Sequence, residues 1–161
     1  MSFEETQSLV QLGLRLEAER LVAMVSLLVD APGAGDRLTR ASMDLEQVLS
    51  GLERRGVALP THVVAARYGL SGPQYAVLTL ATLQLVDAER YAELMALVEA
   101  DDAVPTVELA CVIASPEDPD AFGRELLACP LVVERLVRIE VRDEGEILLP
   151  HPALLELMGL S

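Results

Sequence analysis

The sequence predicts a mainly α-helical protein with one small β-hairpin, arranged as a winged-helix-like domain preceded by a helical hairpin. Three observations carry this. The 161 residues are 52% hydrophobic but only 3% aromatic, with no Trp, so Leu, Val and Ala must fill the core, and such side chains suit packed helices. Apolar residues recur at helical spacing through most of the chain. A single stretch, Val137, Ile139 and Val141 alternating with Arg138, Glu140 and Arg142, switches to a period of two. The expected division is residues 1–56 for the helical hairpin and 57–161 for the winged-helix-like domain.

Each element has a local signal. Ser2 with Glu5 three residues on reads as a capping box, and the helix that follows should run to about Val29. Its apolar stripe is Leu14, Leu21, Val25 and Leu28, widened by Leu9, Leu12 and Leu16; Gly13 weakens it slightly. Ala31-Pro32-Gly33-Ala34-Gly35 stops that helix. Asp36 is expected to cap a second, Arg37 to about Arg55, closed by Gly56. The pair reads as an antiparallel hairpin whose stripes pack on the next domain or on another copy of the chain.

Thr61 is expected to cap a short helix to Tyr68, ended by Gly69. Ser71-Gly72-Pro73-Gln74 is a capping box with an early Pro, opening a helix to about Val86. Asp87 caps a helix to about Ala100, Pro105-Thr106 starts one to Ala114, and Asp118-Pro119 starts another to Ala128. Asp143-Glu144-Gly145 turns the alternating strand back on itself, making a hairpin able to serve as a wing. Pro150-His151-Pro152 leads into a last helix, closed by Gly159.

Charge narrows the partners. The net charge is −14 and the 12 basic residues are all Arg, so DNA, RNA and anionic lipid repel the chain as a whole. The segment Ala65-Ala66-Arg67-Tyr68-Gly69-Leu70-Ser71 looks like the turn of a helix-turn-helix. The first positions of the following helix, Gly72 to Ala76, offer only Gln74 to a base edge, and the capping box already employs it. On the wing, Arg138 and Arg142 flank Glu140. Nucleic acid is therefore an unfavoured partner.

Catalytic and cofactor chemistry find little support. Without Lys, a phosphate-binding loop lacks its cation, and Ala31-Pro32-Gly33-Ala34-Gly35-Asp36 follows a helix rather than a strand. His62 and His151 stand apart from other metal ligands, and the Glu99, Asp101, Asp102 cluster lacks the pattern of a calcium loop. Cys111 and Cys129 sit among apolar neighbours and read as buried free thiols, which suits a reducing cytoplasm. The acidic N-terminus lacks the start of a signal peptide, and the apolar run from Leu21 to Val29 is too short to span a membrane. The expectation is no catalytic residue, no cofactor and no metal.

An ordered set of motifs adds a setting. Arg67-Tyr68-Gly69-Leu70-Ser71, then Val86-Asp87-Ala88-Glu89-Arg90-Tyr91, then Asp101-Asp102 with Pro105-Thr106-Val107, and finally Leu136-Val137-Arg138-Ile139 with Leu148-Leu149-Pro150-His151-Pro152 stand in sequence. From about Leu59 to Gly159 the chain resembles the winged-helix-like domain that precedes the AAA+ module of a group of bacterial ATPases. Some of those ATPases accompany contractile injection systems. The resemblance implies a protein partner, an AAA+ ATPase or its client. No ATPase core follows within these residues, so hydrolysis is not carried over.

The expected function is a non-catalytic protein-interaction domain, an adaptor recruiting a client or assembly partner to such a machine. A winged-helix transcription regulator is the alternative, and a small enzyme of unknown class the second. The expected contact residues are Leu14, Leu21, Val25 and Leu28 on the first helix and Arg138 and Arg142 on the wing. The same helical stripes suggest pairing as a homodimer across a two-fold axis.

Overall fold

A computed structural model describes residues 2–143 and 145–160; Glu144, in the expected wing turn, lies outside the described residues. The protein is mainly helical with one antiparallel two-stranded hairpin. Helix α1 (Phe3–Leu28) begins where Ser2 Oγ accepts the Glu5 N–H at 3.1 Å. Glu4 and Glu5 place negative charge at the positive end of its dipole. Helix α2 (Ala34–Arg54) starts before the expected Asp36 cap. Gly33, at φ +73°, takes the left-handed conformation that lets the chain reverse at once, and Asp36 falls inside the first turn.

The two helices lie antiparallel. Arg37 meets Glu19 near the loop, and Gly13 faces Val48 further along. Leu45, Val48, Leu52 and Leu59 close a small cluster between them, with Leu9 and Leu16 packed against it.

Helix α3 (Pro60–Tyr68) takes its cap position from Leu59, with Pro60 in the first turn where its missing N–H costs nothing. The expected Thr61 cap is corrected: Thr61 is buried and its hydroxyl turns to Glu17 on α1. Gly69 ends α3 in the left-handed conformation. Helix α4 (Gly72–Val86) has the complete capping box of Ser71 and Gln74. Asp87 caps α5 (Ala88–Leu97), which stops before the expected Ala100 because the backbone turns left-handed at Glu99.

Thr106 caps α6 (Val107–Ala114), and Asp118 caps α7 (Pro119–Ala128). A further short helix, α8 (Pro130–Val133), was not expected from the sequence. Strands β1 (Val137–Arg142) and β2 (Gly145–Pro150) pair from Val137↔Pro150 to Arg142↔Gly145. The chain before α6 adds an edge, with Leu148 N–H donating to Pro105 O at 2.9 Å and Thr106 bridging Ile147. Helix α9 (Pro152–Met158) is capped by His151, whose Nδ1 accepts the Ala153 N–H at 3.1 Å.

One large core unites these elements. Leu14, Leu21, Val22 and Val25 of α1 share it with Leu78 and Leu80 of α4, Leu94 of α5, Phe122 and Leu126 of α7, Leu148 of β2 and Leu154 of α9. The first helix therefore packs against the same apolar interior as the elements after residue 57. Helix α4 is the centre: every residue from Val77 to Leu83 is buried, which fits its lack of a polar face.

Candidate functional site

Glu17 organises the most polar place in the interior. It follows Leu14 by three residues and precedes Leu21 by four, so it stands on the buried stripe of α1 with only 6% exposure. A carboxylate so placed needs donors close at hand. Thr61 Oγ1 donates to its Oε1 at 2.5 Å, and the Tyr75 hydroxyl donates to its Oε2. His62 Nε2 stands 3.5 Å from Oε2, and the His62 ring meets Tyr75 edge to face at 5.8 Å. Hydrogen bonding to Glu17 raises the His62 pKa above its usual 6.5, against the opposing effect of burial. Burial first, and the Glu17 charge second, push the Tyr75 phenol well above its ordinary range. Helices α1, α3 and α4 thus meet at one carboxylate.

This hub lies at one end of a cleft of about 520 Å³. Leu21 and Met24 of α1, Leu70 and Ala76 beside the α3–α4 turn, and Ile113 of α6 form its apolar part. Arg20 joins Glu17, His62 and Tyr75 at the polar end. Arg20 is exposed and has no ion-pair partner among the described residues.

The expected reading of α3–α4 as the helix-turn-helix is displaced by the packing. Helix α4 is enclosed from Val77 to Leu83, leaving only its ends toward solvent, and in its first turn Gln74 is buried, bonded to Ser71 and to Glu125 on α7. The helix pair that leads to the hairpin is α6–α7, joined by the turn Ser115–Asp118 and flanked by β2. Its second helix, α7, faces solvent with Asp120, Arg124 and Leu127, the last 57% exposed. Between α6, α7 and the start of β2 runs a groove of about 560 Å³, with Val107, Gly123 and Leu127 as its apolar part. Glu108, Asp120 and Glu146 line it against a single cation, Arg124. Cys111 closes its floor; burial, aided by Asp120 and Glu146, raises that thiol above its ordinary pKa.

The expected contact residues are scattered by the fold. Leu14, Leu21 and Val25 are 7%, 3% and 1% exposed in the chain's own core, so they form no face for a protein partner or a second copy, although the edge of Leu21 borders the cleft. Only Leu28 of that stripe is exposed, beyond the end of the packed region. Arg138 and Arg142 both pair with Glu140, at 3.3 and 3.0 Å, on one face of β1. Strand spacing of two places Arg138, Glu140 and Arg142 side by side, so the wing neutralises its own cations. Val141, on the opposite face, is 83% exposed because the hairpin projects past the core that covers Val137.

Two polar constellations were not read from the sequence. Glu17 left one signal, a carboxylate on an apolar stripe; nothing local marked Thr61 and Tyr75 as its donors. The second joins α1, α2 and α5. Arg37 donates to both oxygens of Glu19 and both of Glu93, and Arg90 pairs with the same two carboxylates. The contacts with Glu19 and then Glu93 raise the Arg37 pKa, and the Arg37 hydrogen bond lowers that of Glu93. Arg90 ties α5 to α1 through its guanidinium, while Asp87 makes the cap and Tyr91 donates to Asp102 O at 3.3 Å.

His62 faces a glutamate, and His151 spends its Nδ1 on a helix cap. Among the described residues no group of three or more His, Cys, Asp and Glu side chains is placed to hold a metal ion. Among the described residues no helix is long and apolar enough to cross a membrane. Compared with protein-family models, with characterised proteins and with solved structures, the chain matches none of them.

Proposed function

We propose that this chain is a non-catalytic protein-interaction domain, an adaptor that docks a partner on the face formed by α6, α7 and the base of the wing. One observation carries the reading. The helix placed where a winged-helix reader would meet DNA presents Asp120 with Arg124 and Leu127, and its groove adds Glu108 and Glu146. Phosphate recognition requires several uncompensated cations. Here one is available on α7, and the wing arginines are held by Glu140. A protein surface with an apolar centre and charged rim suits this face better. The ordered motifs shared with domains that precede AAA+ modules supply the class of partner, an AAA+ ATPase or its client.

The test places a photo-crosslinking amino acid at Leu127 and, as a control, at Met43 on α2. An AAA+ protein captured from Leu127 alone, and lost when Arg124→Glu is added, supports the reading. Capture from both positions, or none of an AAA+ protein from Leu127, overturns the assignment. Salt-sensitive binding to random duplex DNA at low ionic strength would move the chain to the class of transcription regulators.

A further inference from the structure

The cleft between α1, α3, α4 and α6 is on different elements of the fold from most of the α7 groove, and its chemistry is different. Its volume, about 520 Å³, lies within the roughly 300–1,000 Å³ typical of small-ligand sites. Such sites combine an apolar body with a few convergent polar groups, and this cleft has that division along its length. Leu21, Met24, Ala76 and Ile113 make the apolar part, and Arg20 and His62 the polar end.

The free hydrogen-bonding capacity at that end is donor capacity. Glu17 is the only carboxylate in the lining, and its oxygens are engaged by Thr61, Tyr75 and His62. Arg20 is one of several arginines without an ion pair among the described residues, and it is the one that lines this cleft. Arg37 and Arg90 are held by Glu19 and Glu93, and Arg138 and Arg142 by Glu140. In a chain of net charge −14, Arg20 stands at the cleft mouth paired with no carboxylate among the described residues. A planar guanidinium matches a carboxylate with two parallel hydrogen bonds.

We propose that this cleft binds a small amphipathic carboxylate, its head on Arg20 beside His62 and its apolar tail along Leu21 and Met24 toward Ile113. The apolar wall excludes a purely polar acid, and the charged end selects acid over amine. This inference stands apart from the docking face: a protein partner on α7 and a small acid beside α1 require different residues.

Decanoate, kept below its micelle concentration, is the probe, titrated calorimetrically into the full chain. The expected result is one molecule bound per chain, with decylamine at least tenfold weaker. Arg20→Ala, a change at an exposed position, weakens decanoate about tenfold, the size of one lost charge-assisted contact, and Arg20→Lys recovers part of that. Ala76→Leu fills the apolar part and weakens decanoate while the thermal midpoint shows that the fold is kept; Arg124→Ala, on the other face, changes nothing. Absence of decanoate binding overturns the proposal. So does equal binding by Arg20→Ala, equal binding of the amine, or uptake of many molecules per chain.

Discussion

Gly13→Ala separates helix propensity from tertiary packing. Within an isolated helix the change is favourable by about 1 kcal/mol, because Gly loses more backbone freedom than Ala. In this protein a Cβ at residue 13 would stand 2.7 Å from Leu59 Cδ2, and 3.3 Å from both Leu59 Cδ1 and Val48 Cγ1. Leu59 is fully buried at the junction of α1, α2 and α3, and so has no solvent to swing into. Forcing extra carbon into such a place costs about 1–3 kcal/mol. The net expectation is a loss of up to about 2 kcal/mol, and a midpoint lowered by roughly 2–4 °C for each kcal/mol.

Thermal and urea unfolding of Gly13→Ala, Leu59→Val and the double variant make a cycle that isolates the contact. Leu59→Val withdraws the δ-methyls and alone should cost about 1 kcal/mol. In that background Gly13→Ala should turn neutral or stabilising, a coupling of about 1–2 kcal/mol. Gly51→Ala is the control. It meets only a Leu9 methyl at 3.3 Å and the tip of Arg54 at 4.0 Å, so most of the propensity gain should survive. A Gly13→Ala protein more stable than wild type, or one equally destabilised with and without the Leu59 δ-methyls, would refute the packing argument.

Other outcomes follow from the polar sites. Glu17→Ala strands the hydroxyls of Thr61 and Tyr75 inside the protein and should cost about 2–4 kcal/mol in urea unfolding, with Glu17→Gln milder because an amide still pairs with hydroxyls. His62 has a folded pKa above its unfolded value, so its contribution is complete below about pH 6.5 and is lost as pH rises through the folded pKa. The midpoint difference between wild type and His62→Gln should therefore be largest near pH 5.5 and vanish by pH 9; a constant difference would deny the Glu17–His62 linkage. Arg37→Ala should lose about 1 kcal/mol, since the partly exposed network is screened by water, and 1 M salt should narrow that gap. If salt leaves the gap unchanged, the loss comes from packing of the arginine stem.

The placement of α4 bears on how such folds are read. A turn of the form Arg-Tyr-Gly-Leu-Ser before a capped helix has the local outline of a helix-turn-helix. The helix that follows is nevertheless at the centre of the core, and it is α6 and α7 that stand beside the wing. The run Val77 to Leu83, with no charged residue and only Thr79 and Thr82 polar, was the available warning. The uncapped beginning of α2 and the unexpected α8 teach a smaller lesson. Gly33 and Pro130 set helix starts through backbone conformation alone, where no side-chain cap announces them.

Sequence by itself determined most of the helices, the strand hairpin and their order; the short α8 and the ends of α2 and α5 lay outside that reading. Caps such as Ser2, Ser71, Thr106 and Asp118 act within four residues, and strand alternation acts within six, so both are written in neighbouring letters. The acidic balance was legible from composition alone, whereas Arg138 and Arg142, expected to meet a partner, pair with Glu140 instead. Tertiary structure alone decided which helix is enclosed and which is offered, that Leu14, Leu21 and Val25 are consumed internally, and that Glu17 meets donors 44 and 58 residues away. Those outcomes depend on how distant elements share one limited interior, and burial is a property of the packed whole rather than of any window of the chain.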